Sequence, residues 1–132
     1  MKEMAVRLKR GEDLKERMED ICLTNGIDTA VVLSGVGCVY QAKIRLAGGE
    51  SFYENKENYE IVSLTGTISK GHAHVHISLA DISGKAIGGH LCKGCMIDTT
   101  CELVLGILEE YESKRVYDPD TGYDEIEFEK VR

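Results

Sequence analysis

The chain has 132 residues, 42% apolar and 30% charged, enough for one domain with a hydrophobic core of its own. No window carries the unbroken apolar run that a membrane-spanning helix requires. A formal charge of −7 argues against a nucleic-acid surface, because that affinity comes from Lys and Arg neutralising phosphates.

Met4–Lys9 alternates and predicts a first strand, with Ala5, Arg7 and Lys9 on one side and Val6 and Leu8 on the other. The opening mixes charges into its apolar run and offers no small-residue cleavage site, so no secretory leader is expected and the cytoplasm is the expected location. Gly11-Glu12-Asp13 then opens a helix, since carboxylates suit the positive end of the helix dipole. Leu14, Met18, Ile21 and Cys22 form its apolar stripe, and Asn25-Gly26 ends it. Thr29–Leu33 reads as a strand broken by Ser34-Gly35-Val36-Gly37. Cys38–Leu46 follows as another, with Val39, Gln41, Lys43 and Arg45 on one face and Tyr40, Ala42, Ile44 and Leu46 on the other.

Gly48-Gly49 and the polar Ser51–Asn58 stretch read as a loop, and Tyr59–Ser69 as a further strand. The run from Met96 to Glu110 favours strand through its Thr pair and apolar core, although its end could turn helical. A turn at Asp118-Pro119-Asp120-Thr121-Gly122 leads into a short alternating tail, Ile126–Glu129. From Glu109 onward nine acidic residues face four basic ones, a solvated surface. The expectation is a single α+β domain over residues 1–132, a bent and largely antiparallel sheet with one main helix packed on it.

Five cysteines (Cys22, Cys38, Cys92, Cys95 and Cys101) are an odd set that fits buried thiols in a reducing compartment. Cys92-Lys93-Gly94-Cys95 spells C-x-x-C, but no helix start or second pair accompanies it, and it reads as structural.

All four histidines fall within residues 71–91, GHAHVHISLADISGKAIGGHL. Alternation puts His72, His74, His76 and Ser78 on one face of a strand and Ala73, Val75, Ile77 and Leu79 on the core face. A three-residue loop, Ile82-Ser83-Gly84, pairs Asp81 with Lys85 and brings His90 opposite His76, on the same side. It also brings Cys92 opposite His74. A two-residue loop would instead turn His90 into the core. His74, His76 and His90 are therefore the candidate metal ligands, with Cys92 as an accessory and His72 as a bystander. Three imidazoles with an open fourth position suit zinc, although other transition metals also take imidazole. Gly88 and Gly89 leave room beside the ion or let another backbone approach.

The run His74-Val75-His76-Ile77-Ser78-Leu79-Ala80-Asp81, followed by Gly84 and Gly88-Gly89-His90-Leu91, resembles the signature of the PPC (plants and prokaryotes conserved) domain, also called the AT-hook-associated domain. The resemblance extends to Leu8–Leu14, Val32–Gly37, Tyr59–Thr67 and Asp118–Gly122. It implies a strongly bent antiparallel sheet with a packed helix, assembly as a homotrimer, and a DNA-associated role with contacts to other regulatory proteins. This sequence lacks the Arg-Gly-Arg-Pro core of an AT-hook and carries histidines that the plant domains tend to lack. The reading is thus a non-enzymatic trimeric module with a histidine zinc site and a DNA-associated or regulatory role, without a catalytic residue. The alternative is a zinc-dependent hydrolase, in which the ion lowers the pKa of bound water. It would need a general base, for which Glu60 and Glu102 are candidates. Arg7 is a further candidate, as a partner of Glu60 or an anion contact.

Overall fold

In the computed structural model, which describes residues 1–132, the elements follow as β1 (Lys2–Lys9), α1 (Leu14–Thr24), β2 (Thr29–Arg45), β3 (Phe52–Asn55), β4 (Tyr59–Ser69), β5 (His72–Ala80), β6 (Ala86–Leu91), β7 (Met96–Ile107), β8 (Tyr111–Asp118) and β9 (Tyr123–Lys130). Asp13 caps the helix: its Oδ1 accepts from Glu16 N at 3.0 Å, satisfying one of the backbone donors a helix start leaves free. Its Oδ2 accepts from Gly94 N at 2.7 Å, which ties the cap to the segment entering β7. The stripe Leu14, Met18, Ile21 and Cys22 is buried as expected, and Asn25 closes the helix by returning its N–H to Ile21 O at 3.1 Å.

Helix is confined to those eleven residues, so the expected α+β architecture is a sheet-dominated fold with one short helix. Three stretches read otherwise in sequence account for the difference. Ser34–Gly37 does not break a strand; β2 runs unbroken for 17 residues and absorbs its glycines as register shifts against β7. Gly37 lies so close to Thr100 that any side chain there would collide with it, so glycine marks a close approach rather than an end. A further shift between Val39 and Gln41 reverses the expected alternation: Val39 lies in the core together with Ala42 and Ile44. Phe52–Asn55, expected as loop, pairs with β2, and the C-terminal tail is a full hairpin of β8 and β9. The run from Met96 stays extended to Ile107 and does not turn helical.

The main sheet is ordered β1-β7-β2-β4-β5-β6, with β3 on β2. The long β2 bonds β7 and β4 through its first part and β3 and β6 through its last, because Ile44 and Arg45 oppose Leu91 and His90. Thus β2, β4, β5 and β6 close on themselves around a core of 25 buried residues. Gly89 permits this closure, since a Cβ there would stand 2.5 Å from Arg45 O.

The β8–β9 hairpin forms a separate two-stranded sheet. A polar network moors it. Ser113 Oγ meets Thr29 Oγ1 at 2.7 Å and donates to Ser69 Oγ at 2.7 Å, while Ser113 N donates to Asp28 Oδ1 at 2.9 Å. Asp28 also receives Thr29 Oγ1 at 2.7 Å and Lys70 Nζ at 2.6 Å. Burial alone would raise the Asp28 carboxyl, but these donors outweigh it and hold the group below the usual carboxylate range. No helix is long and apolar enough to cross a membrane.

Candidate metal centre

The alternation of β5 sends Ala73, Val75, Ile77 and Leu79 into the core, none more than 2% exposed, and leaves His74 and His76 outside. The Asp81–Lys85 turn fixes what comes back. Asp81 N donates to Lys85 O and Gly84 N to Asp81 O, both at 2.9 Å. Asp81 Oδ1 accepts from Ser83 N at 2.9 Å and Lys85 N at 3.0 Å, and Gly84 takes the left-handed conformation at φ +81°. The loop is therefore the three-residue form, and His76 stands opposite His90.

The rings of His74, His76 and His90 lie with centroids 5.4, 5.3 and 5.8 Å apart, and one ligand nitrogen from each falls within 4.8 Å of the others. Zinc bonds to imidazole at about 2.0–2.1 Å, so tetrahedral ligands stand about 3.4 Å apart, within reach of small ring rotations. His90 Nδ1 is buried and has no hydrogen-bond partner. Leaving such an atom unsatisfied costs about 1–3 kcal/mol, which an ion at that nitrogen would relieve. Two of the three imidazoles, those of His74 and His90, are also biased towards the neutral, ligating form. Burial pushes His90 down to about 4, helped by the charge of Arg45 and by the neighbouring His74 and His76. Burial lowers His74 too, with His76 and Arg115 adding to the effect and Glu125 opposing it. The donor set fits a divalent transition metal.

Arg45 stands opposite His90 across the β2–β6 pairing. Arg115 on β8 and Glu125 on β9 come from the hairpin close enough to act on His74. Sequence reasoning missed all three, because each reaches the site only through long-range pairing.

His72 stands outside the trio. Burial lowers its pKa, then Arg115 and Lys15, while Glu19 raises it. The helix approaches here: Glu19 Oε2 accepts from Lys15 Nζ at 2.7 Å and from Ala73 N at 2.9 Å, capping the edge of β5. Cys92 does not oppose His74. The β5–β6 ladder ends at His76–His90, and Cys92 N donates instead to Lys43 O as the chain turns onto β2. Its Sγ lies 3.6 Å from His90 O.

Glu60 pairs with Ala80, four residues along β5 from His76, which is roughly 13 Å at strand spacing. It lines a shallow cleft with Cys38, Asp81 and Asp98. Glu102 lies on β7, separated from β5 by β2 and β4, about 14 Å of sheet. Arg7 opposes Glu102 rather than Glu60, and it donates to Thr100 Oγ1 at 3.0 Å and Thr99 O at 3.2 Å. It thereby pins the kink where Thr99 adopts φ +36°. All five cysteines are free, and burial raises the Cys22, Cys95 and Cys101 thiols to about 11.

Fold and site together define a small antiparallel-sheet protein with a surface trio of imidazoles that could hold a metal ion. The chain belongs to the Plants and Prokaryotes Conserved (PCC) domain family, whose model matches residues 1–109. It is 41% identical over 126 residues to the bifunctional protein GlmU of Synechococcus sp. strain JA-3-3Ab, covering 96% of this chain and 20% of that protein. The chain thus spans about a fifth of the length of the curated relatives it matches. Among solved structures, a hypothetical protein from Salmonella cholerae-suis superposes with a TM-score of 0.93 at 29% identity, covering 98% of this chain and 94% of the other. A metal-containing protein from Archaeoglobus fulgidus superposes with a TM-score of 0.82 at 29% identity, covering 100% and 94%.

Proposed function

We propose that this chain is a non-enzymatic metal-binding module that works as a cytoplasmic homotrimer in assembly or regulation, with zinc held by His74, His76 and His90. The observation that carries it is the convergence of three ligand nitrogens within 4.8 Å, one of them the buried and unpartnered Nδ1 of His90. The metal-containing relative from Archaeoglobus fulgidus supports the same reading. Zinc suits three neutral imidazoles with an open fourth position, and a competing transition metal that takes imidazole would occupy the same set. Five free thiols agree with a reducing compartment.

A regulatory protein is the favoured partner of the trimer. Direct DNA contact is the weaker branch, because a charge of −7 opposes phosphate and the sequence has no AT-hook. The hydrolase alternative loses its two sequence candidates, since Glu60 and Glu102 lie a strand-length and a sheet-width away. The remaining carboxylate near the trio, Glu125, is exposed, as are His74 and His76. Such an open face does little to exclude water from a reaction.

Native mass spectrometry with elemental analysis, on full-length protein purified without a histidine tag or chelator, tests the proposal. The expected species is a trimer with one ion per chain, reduced to metal-free protein by His90→Ala. A metal-free monomer would refute it.

A further inference from the structure

One charged group beside the imidazoles is left without a counterpart. Arg115 sits on β8 opposite Ile126, and its Nη1 donates to Asp124 O over a long 3.4 Å. Its Nε and Nη2 are buried with no hydrogen-bond partner, and it forms no ion pair. Those two nitrogens form one edge of the guanidinium fork, the edge that matches two oxygens of a carboxylate or phosphate. A permanently charged group with both donors of that edge buried and idle is costly, which calls for an acceptor. The hairpin lies along this face: Ser113, two residues before Arg115, bonds Ser69 opposite His72, and Tyr123 on β9 lies beside Arg45 opposite His90. Arg115 thus stands between them, and its charge lowers both His72 and His74.

A second arginine adds charge from β2. Arg45 opposes His90 across β2 and β6, and its guanidinium stands 6.0 Å from the ring centroid of Tyr123 on β9. The two arginines therefore flank the imidazoles from β8 and β2. A divalent ion at the trio would add to their charge. Of the nearby carboxylates, Glu19 is already engaged by Lys15 and Ala73, which leaves the exposed Glu125. The balance at this face is positive although the chain as a whole is acidic.

We propose that the open position of the metal takes an oxyanion, a carboxylate or phosphate group, with one oxygen on the ion and a second accepting from Arg115 Nε and Nη2. This rests on the metal reading above and specifies the chemistry of what the module binds: a small anionic ligand or an acidic side chain of a partner. Arg45 supplies long-range charge from β2. Arg115 lies outside the residues that the family model matches, so this recognition belongs to the C-terminal hairpin.

The test uses full-length protein loaded with cobalt(II), whose visible absorption reports the ligands on the ion. Elemental analysis of metal content accompanies titrations with inorganic phosphate and with acetate. Wild-type protein is expected to show a saturable spectral change with at least one anion. Arg115→Met should weaken it about tenfold or more at unchanged metal content, and Arg115→Lys should restore part of the loss. A stronger response to phosphate identifies a phosphate ligand, and a stronger response to acetate a carboxylate. Full metal content with no anion response, or with equal responses in wild type and Arg115→Met, overturns the proposal and leaves the metal reading standing. Protein that takes up no cobalt overturns the metal reading first and this one with it.

Discussion

The β5–β6 hairpin buries Ala73, Val75, Ile77, Leu79 and Leu91, all at 2% exposure or less, whereas the β8–β9 hairpin buries a single residue, Ser113, through hydroxyl contacts. Both hairpins contribute to the same face of the molecule. The first is held by apolar burial, which is non-directional and contributes about 1.5–3 kcal/mol for each large side chain. The second is held by directional bonds that converge on Asp28, each of modest net value. The difference separates two jobs. The rigid hairpin fixes the imidazoles relative to one another, and the moored one brings Arg115 and Glu125 beside them and is expected to open before the core unfolds.

The sharpest way to break this contrast is in the core. Leu79→Ala should destabilise the whole chain by about 2–5 kcal/mol, read by denaturant unfolding, with both hairpins lost in one transition. A smaller and local effect is expected from Asp28→Ala, which removes the acceptor of Thr29, Lys70 and Ser113 at a cost of about 1–3 kcal/mol. Hydrogen exchange should then rise in residues 111–130 while β5 stays protected. Equal rises in both would mean that the hairpins are not separately anchored.

The smallest effect is a pH dependence in metal-free protein. The folded His90 value, about 4, lies below its ordinary 6.5, so the unfolded chain binds the proton first. The stability this histidine contributes is present above about pH 6.5 and is lost as pH falls towards 4. Thermal melts of His90→Asn should show a shallower loss across that window than wild type.

The contrast also explains what the sequence discloses. The His74/His76 face, the inward Val75 and Leu79, and the Ile82–Gly84 loop are legible because local rules decide them: strict alternation and a turn with Gly at its left-handed position. The helix stripe is legible for the same reason. Ser34–Gly37 misleads because Gly there marks a tight crossing with β7, which local composition does not distinguish from a turn. The switch of face between Val39 and Ala42 follows from a bulge that only the pairing partner reveals. The Ile126–Glu129 alternation marks the end of β9, but β8 and the start of β9 carry polar residues on both faces and bury only Ser113, so the full hairpin is not legible. Arg45 and Arg115 reach the histidines through pairings that join distant parts of the chain, and Cys92 leaves His74 because β6 turns onto β2.

X-ray absorption at the metal edge probes the central claim with least intervening inference. The account predicts three imidazole nitrogens at about 2.0–2.1 Å on a zinc-loaded chain, and either two or no bound zinc at all in His76→Ala. A first shell built from sulfur or carboxylate oxygen, or one unaffected by that substitution, would contradict it.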